Sequence, residues 1–378
     1  MAYTTIDDPS AYFQSTLYSG DSNNSTVITN TGYSNLQPDF IWIKSRTHGS
    51  AGTGGHMKFD SSRGIKSTTG SDSPFLVANS TSGDQTNSNA LQAVSTDSFT
   101  PGSMTRTNET GDDYVAWQWK ANGGTTTSVS ASGTGSGCIN ACTHQANTTA
   151  GFSIITYTGR DDQLNNGQHS ILKHGLGVAP TFMIVKRRDN TGNWYVMGKY
   201  VTSASAYSNN EYLSLNTTSG INGNSYVGSI APTSTDIYLG NELVNIASAT
   251  YVMYAFTDVQ GYSKFGKYVG NGNANGPFVH TGFRPAFVMV KNNAAVNMWN
   301  IYDSVRPGYN DDLAYMFYGN GPNAEYAGAS YHDMDLFSNG FKIRLTDASQ
   351  NGNGNDHIYM AFAENPFVTS TGIPTTAR

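Results

Sequence analysis

One seven-residue pattern occurs three times in the chain, as Pro38-Asp39-Phe40-Ile41-Trp42-Ile43-Lys44, Pro180-Thr181-Phe182-Met183-Ile184-Val185-Lys186 and Pro285-Ala286-Phe287-Val288-Met289-Val290-Lys291. A proline, a phenylalanine two places on, an apolar run and a lysine describe a buried strand entered through a rigid turn. A Tyr-x-Gly precedes each copy, closing at Gly20, Gly159 and Gly270, and an aromatic run follows each, ending at Trp119, Phe256 and Phe362. Lys44, Lys186 and Lys291 stand 75, 70 and 71 residues before those last aromatics. Spacing this regular over a unit of roughly a hundred residues points to duplicated domains rather than solenoid rungs.

The first two prolines lie 142 residues apart and the last two 105, and the excess falls on Ala121 to Gly151. That stretch is rich in Gly, Ser and Thr and reads as a flexible tether. The expected organisation is therefore a first repeat over 1–120, a linker over 121–151, repeats over 152–262 and 263–368, and a tail over 369–378. The short join near Gly261 suggests that the second and third repeats pack as a pair, with the first apart.

The 41 glycines, 23 tyrosines and 17 phenylalanines, with only 13% charged residues, indicate short strands joined by tight turns. Asn-Gly dipeptides at Asn122, Asn166, Asn222, Asn275, Asn339 and Asn353 favour hairpins that need positive φ. Strands such as Phe152 to Tyr157 alternate roughly in period two, as one wet and one dry face require. The fold class expected is all-β, with three tandem antiparallel two-sheet sandwiches, each large enough to fold without metal or disulfide.

Several functions lack a foothold. The net charge of −6 provides no basic stripe for nucleic acid, and Lys186-Arg187-Arg188 is too short to hold a phosphate backbone. No apolar run approaches the roughly 18 residues that would cross a bilayer. Met1 to Pro9 shows no export signal. There is no Gly-x-Ser-x-Gly elbow, phosphate loop or His-Glu-x-x-His, so no enzyme is expected. The acidic doublets at Asp112, Asp161 and Asp311 fit turns. Cys138 and Cys142 with His144 fall short of a four-ligand zinc site, which His169 and His174 would complete only if the segment folded back; a local disulfide stays open. The turns at Gly270 to Asn273 and Asn351 to Asp356 lack the carboxylates of a tight calcium site. Neither metal nor cofactor is expected.

Partial repetition marks where roles diverge. Asp60 and Arg63 in the first repeat match Asp303 and Arg306 in the third, whereas the second has neither. Arg63 and Arg306 either pin a turn through the nearby aspartate or face a groove and hold a polar ligand. Trp194 and Trp299 either pack in a core or stack on a sugar ring.

Asp7 to Gln14, Asn35 to Lys44, Tyr114 to Lys120, His174 to Pro180 and Ala363 to Phe367 together resemble a family of virion proteins of tailed phages of marine and freshwater bacteria, including cyanophages. Its members are described as tail fibre or structural proteins. The resemblance implies concanavalin-like or jelly-roll sandwiches, exposure on the particle surface and assembly with other virion proteins. It also implies contact with host surface polysaccharide by a tail fibre or adhesin, or alternatively decoration of the capsid. A glycan-degrading depolymerase is a further alternative. A homo-oligomer, a trimer above all, is expected, because no heptads or collagen-like repeat build a shaft.

Overall fold

A computed structural model describes residues 2–50, 52–65, 73–160, 169–201, 211–223, 230–240, 242–306, 315–327 and 333–375. The Asp161–Asp162 and Asp311–Asp312 doublets and Asn166 lie outside them. Among the described residues the chain is nearly all β, and its strands pair antiparallel into three larger and three smaller sheets.

The three larger sheets share one strand order. In the first it runs Phe13–Ser19, Asp113–Trp119, Phe40–Ser45, Met57–Asp60, Leu76–Val77. In the second it runs Phe152–Thr158, Thr250–Phe256, Phe182–Arg187, Trp194–Gly198, Glu211–Ser214, and in the third Ser263–Val269, Asp356–Pro366, Phe283–Asn292, Trp299–Asp303, Tyr315–Tyr318. Register is also shared: Phe40 pairs with Trp119, Phe182 with Phe256 and Phe287 with Phe362. Pro38 and Pro180 precede their strands as expected, but Pro285 lies within one, at a register shift where a ladder N–H is not needed.

A smaller sheet covers one face of each larger one. Ile41, Ile43 and Phe59 pack with Leu91 and Phe99 in the first sandwich. Val185 and Met197 pack with Leu172 and Ile237 in the second, and Val288 and Val290 with Phe341 and Ile343 in the third.

The opposite face was expected to be wet, and it is dry. Phe13, Phe40, Trp117 and Trp119 from the first sheet, Phe152, Phe182, Tyr254 and Phe256 from the second, and Phe265, Phe287 and Phe362 from the third form one central core. Phe40 stacks on Tyr254 at 4.4 Å between centroids, Phe182 on Phe265 at 5.4 Å and Phe13 on Phe362 at 5.3 Å, one contact across each seam. The first sandwich is therefore no outlier, since each of the three touches both others around a pseudo-threefold axis.

The repeated lysine shows how the ring closes. Lys44 Nζ donates to Pro322 O of the third sandwich at 3.3 Å, Lys186 to Thr81 O of the first at 2.8 Å, and Lys291 to Thr218 O of the second at 3.1 Å. Trp194 and Trp299, opposite their lysines on the next strand, donate across the same seams to Val77 O and Ser214 O, each at 3.0 Å. His56 takes this place in the first sandwich, with Nε2 3.1 Å from Tyr318 O. Its Nδ1 accepts from Trp42 Nε1, so the proton sits on Nε2. Backbone bonds from Asp84 N to Arg188 O, Ile221 N to Asn293 O and Glu325 N to Arg46 O complete each seam. Thr81, Thr218 and Pro322 lie four residues beyond Val77, Ser214 and Tyr318, and Asp84, Ile221 and Glu325 lie seven beyond, so these bonds recur at equivalent positions in all three seams.

The supposed linker contributes two strands to a sheet. Thr127–Val129 and Cys142–Asn147 add two strands to the edge of the second large sheet, against Phe152–Thr158. Its start is anchored by Asp39, whose carboxylate accepts from Ala121 N and Gly123 N. Small polar residues look like tether in composition, yet an exposed sheet edge gives their backbone N–H and C=O groups partners.

Phe362 meets Phe13, Trp119, Phe256, Phe265 and Phe287 in the central core. Phe362→Ala is expected to cost about 3–5 kcal/mol in urea unfolding. Because that core belongs to all three sandwiches, tryptophan fluorescence and circular dichroism should report one coincident transition; separate transitions would mean independent domains.

Candidate functional site

The seams differ in their side chains, and that difference defines the candidate site. At the seam of the first and second sandwiches, Arg63 Nε lies 2.5 Å from Asp60 Oδ2, Arg63 Nη1 2.9 Å from Asp84 Oδ1, and Arg188 Nε 2.8 Å from Asp84 Oδ2. Tyr254 of the second sandwich donates to Asp60 at 2.6 Å. Burial opposes the Arg63 charge, but Asp60, Tyr254 and Asp84 outweigh it and raise its pKa. Burial also raises the Tyr254 pKa far enough to keep its O–H a donor.

The seam of the third and first sandwiches repeats this cluster. Arg306 pairs with Asp303 at 2.7 Å and with Glu325 at 3.0 Å, Arg46 reaches Glu325 at 2.8 Å, and Trp117 Nε1 donates to Asp303 at 2.9 Å. In both clusters the aspartate also accepts the arginine's backbone N–H, so the pair pins its turn.

The seam of the second and third sandwiches has none of this. Register places Gly198 where Asp60 and Asp303 stand, opposite Phe182, and Val201 follows three residues later in place of the arginine. Ile221 replaces Asp84 and Glu325, Asn293 replaces Arg188 and Arg46, and Met360 takes the position of Tyr254 and Trp117. Every member of the ionic cluster has changed together. A cleft of about 680 Å³ opens here, lined by Ile221, Asn293, Ala295, Val296, Asn355 and Asp356 among others. Asn293 is 3% exposed and its Oδ1 has no hydrogen-bond partner among the described residues, while its Nδ2 reaches Tyr200 O at 3.3 Å.

The four residues singled out in the sequence are all seam residues. The side chains of Arg63 and Arg306 are 0% exposed, as are Trp194 and Trp299 as whole residues. None is open to a surface ligand, so the turn and core readings replace the groove and sugar-stacking ones. The Trp194 ring is covered by Lys58 Nζ at 4.4 Å from its centroid, and the same amine lies 3.7 Å from that of Trp42. Desolvation, with Arg63 nearby, pushes the Lys58 pKa well down, which favours a neutral amine between two rings.

Cys138 and Cys142 are buried and are not joined in a disulfide. Among the described residues, one group of His, Cys, Asp and Glu is close enough to share a cation: His48, Glu109 and Asp112. His48 Nε2 and Asp112 Oδ2 already pair at 2.5 Å. The cleft was missed by sequence reasoning, although its signal was present: Arg46 and Arg188, each two places after the repeated lysine, become Asn293 in the third repeat.

A single family model matches residues 8–366. The chain belongs to the family described as a domain of unknown function, DUF7483. No curated protein and no solved structure matches it. The DUF7483 match spans all three sandwiches rather than one repeat.

Breaking one partner of a buried ion cluster leaves an uncompensated charge, so Asp60→Ala should cost about 3–5 kcal/mol. Installing the third seam's set instead (Asp60→Gly, Arg63→Val, Asp84→Ile, Arg188→Asn, Tyr254→Met) should cost less than Asp60→Ala alone; a larger loss would show that the two chemistries are not interchangeable.

The seam lysines add a pH dependence. Burial pulls the Lys44 pKa down to about 7 and those of Lys186 and Lys291 to about 8, against their carbonyl acceptors, which favour the ammonium. Above those values the unfolded chain, whose lysines titrate near 10.4, binds more protons than the folded one, so stability rises with pH. The urea midpoint should be higher at pH 9 than at pH 7; a flat or falling midpoint would mean that the carbonyl cradles hold the charge.

Proposed function

We propose that this chain is a non-enzymatic protein of a phage particle surface, a tail-fibre- or adhesin-like knob that contacts host surface glycan. The observation that carries the reading is the closed ring. A fibre role without heptads or a collagen-like repeat requires the domains to associate about an axis unaided, and these do so within one polypeptide. Low charge and ionic clusters buried in two of the seams suit a particle that persists outside a cell, and the exposed turns are left as the contact surfaces.

Capsid decoration is the second reading. It is favoured by the self-contained core, which lets a knob seat on a shell without help from a shaft.

Imaging of intact particles by cryo-electron microscopy, together with a glycan-binding panel, separates these readings. Density at the tail and binding to at least one glycan, with no release of reducing ends, are expected. Density on the head with no glycan or cell binding would move the assignment to decoration, and released reducing ends would make the chain a depolymerase.

A further inference from the structure

We infer that the cleft between the second and third sandwiches is a binding site for a short neutral oligosaccharide. This rests on the glycan-contact reading above and names where that contact is made.

The first support is comparison of the seams. Arg46 reaches Glu325 across one seam and Arg188 reaches Asp84 across another, each bridging the loop after the repeated lysine to the neighbouring sandwich. Asn293 and Ile221 hold the corresponding places in the third seam, and neither side chain can form that bridge. The backbone bond between them persists at 2.8 Å, so the seam stays closed while the space outside it stays open. The space, about 680 Å³, is of the size that holds small ligands, roughly 300–1,000 Å³.

The lining chemistry selects the ligand class. Ile221, Ala294, Ala295 and Val296 give an aliphatic side for the C–H face of a sugar, and Val296 is 75% exposed. Asn355 and Asp356 supply carboxamide and carboxylate groups that hydrogen-bond hydroxyls. Asn293, itself almost fully buried, adds a carboxamide residue to the same wall. The cleft lining itself has carboxylates but no lysine or arginine, and the nearby Lys267 is engaged with Asp356 at 2.7 Å. Such a lining disfavours an anionic sugar and suits a neutral one.

Two variants of the full chain test this. Ile221→Glu with Asn293→Arg installs the bridge of the other seams across the cleft, and Val296→Lys places a charged chain at its exposed edge without touching the core. Isothermal titration would use hexasaccharides of glucose, galactose and mannose, with an oligogalacturonate as the acidic probe. Wild type should bind at least one neutral hexamer in preference to the acidic one, and each variant should weaken that binding at least tenfold with its thermal midpoint retained. If the double variant fails to fold, Val296→Lys decides alone. Equal binding by wild type and Val296→Lys would overturn the site while leaving glycan contact standing. Preference for the acidic probe would overturn the ligand class. No binding to any probe by wild type would overturn both the site and the glycan reading.

Discussion

A lysine amine buried at a seam needs acceptors, and in this fold part of each cradle belongs to the neighbouring sandwich. Lys291 shows the requirement fully: Ala295 O and Asn297 O come from its own loop, and Thr218 O comes from the second sandwich. The same holds for the indole N–H groups of Trp194 and Trp299. Separating one sandwich would strip partners from two of these sets and expose aromatic rings from the central core. Desolvated donors left unpaired cost about 1–3 kcal/mol each, and the aromatic burial adds to that. Closure is therefore enforced by polar groups that tolerate nothing less, with the rings supplying the bulk of the driving force.

The seams also show matching of chemistry across an interface. Asp60 meets the Tyr254 hydroxyl and Asp303 meets the Trp117 indole, each a donor. Where the neighbour offers Met360, the facing position is Gly198 and the arginine has become Val201. A buried carboxylate opposite a thioether would lack its donor, and a buried guanidinium without its carboxylate would be worse. The loss of Asp and Arg from the second repeat is thus explained by a residue more than a hundred positions away.

Much of the scaffold was legible in the sequence because strand burial, register and turn chemistry are local signals that repeat. Phe40, Phe182 and Phe287 announced equivalent strands, and they are equivalent. The unread part depends on what lies on the other side of a strand. Phe152 to Tyr157 alternates as a half-wet strand would, and only a neighbouring sheet makes its second face dry. The Gly/Ser/Thr composition of 121–151 hid Cys142–Asn147, since an edge strand is held by backbone bonds that composition does not encode. Arg63, Arg306, Trp194 and Trp299 all stand at seams, but sequence could not tell a dry seam from an open groove. The change from Arg46 and Arg188 to Asn293 was visible once the repeats were aligned; its meaning needed the partner, Ile221.

Fusing three copies into one polypeptide changes what mutation can do. In an assembly of three identical subunits every substitution arrives three times, so a seam cannot be loosened without loosening all of them. Here each copy has its own codons. Two seams have ionic clusters while the third, held by its lysine, tryptophan and backbone bonds, lacks the whole cluster. A ring that inherits symmetry but is not bound by it can carry a single specialised position on an otherwise uniform frame.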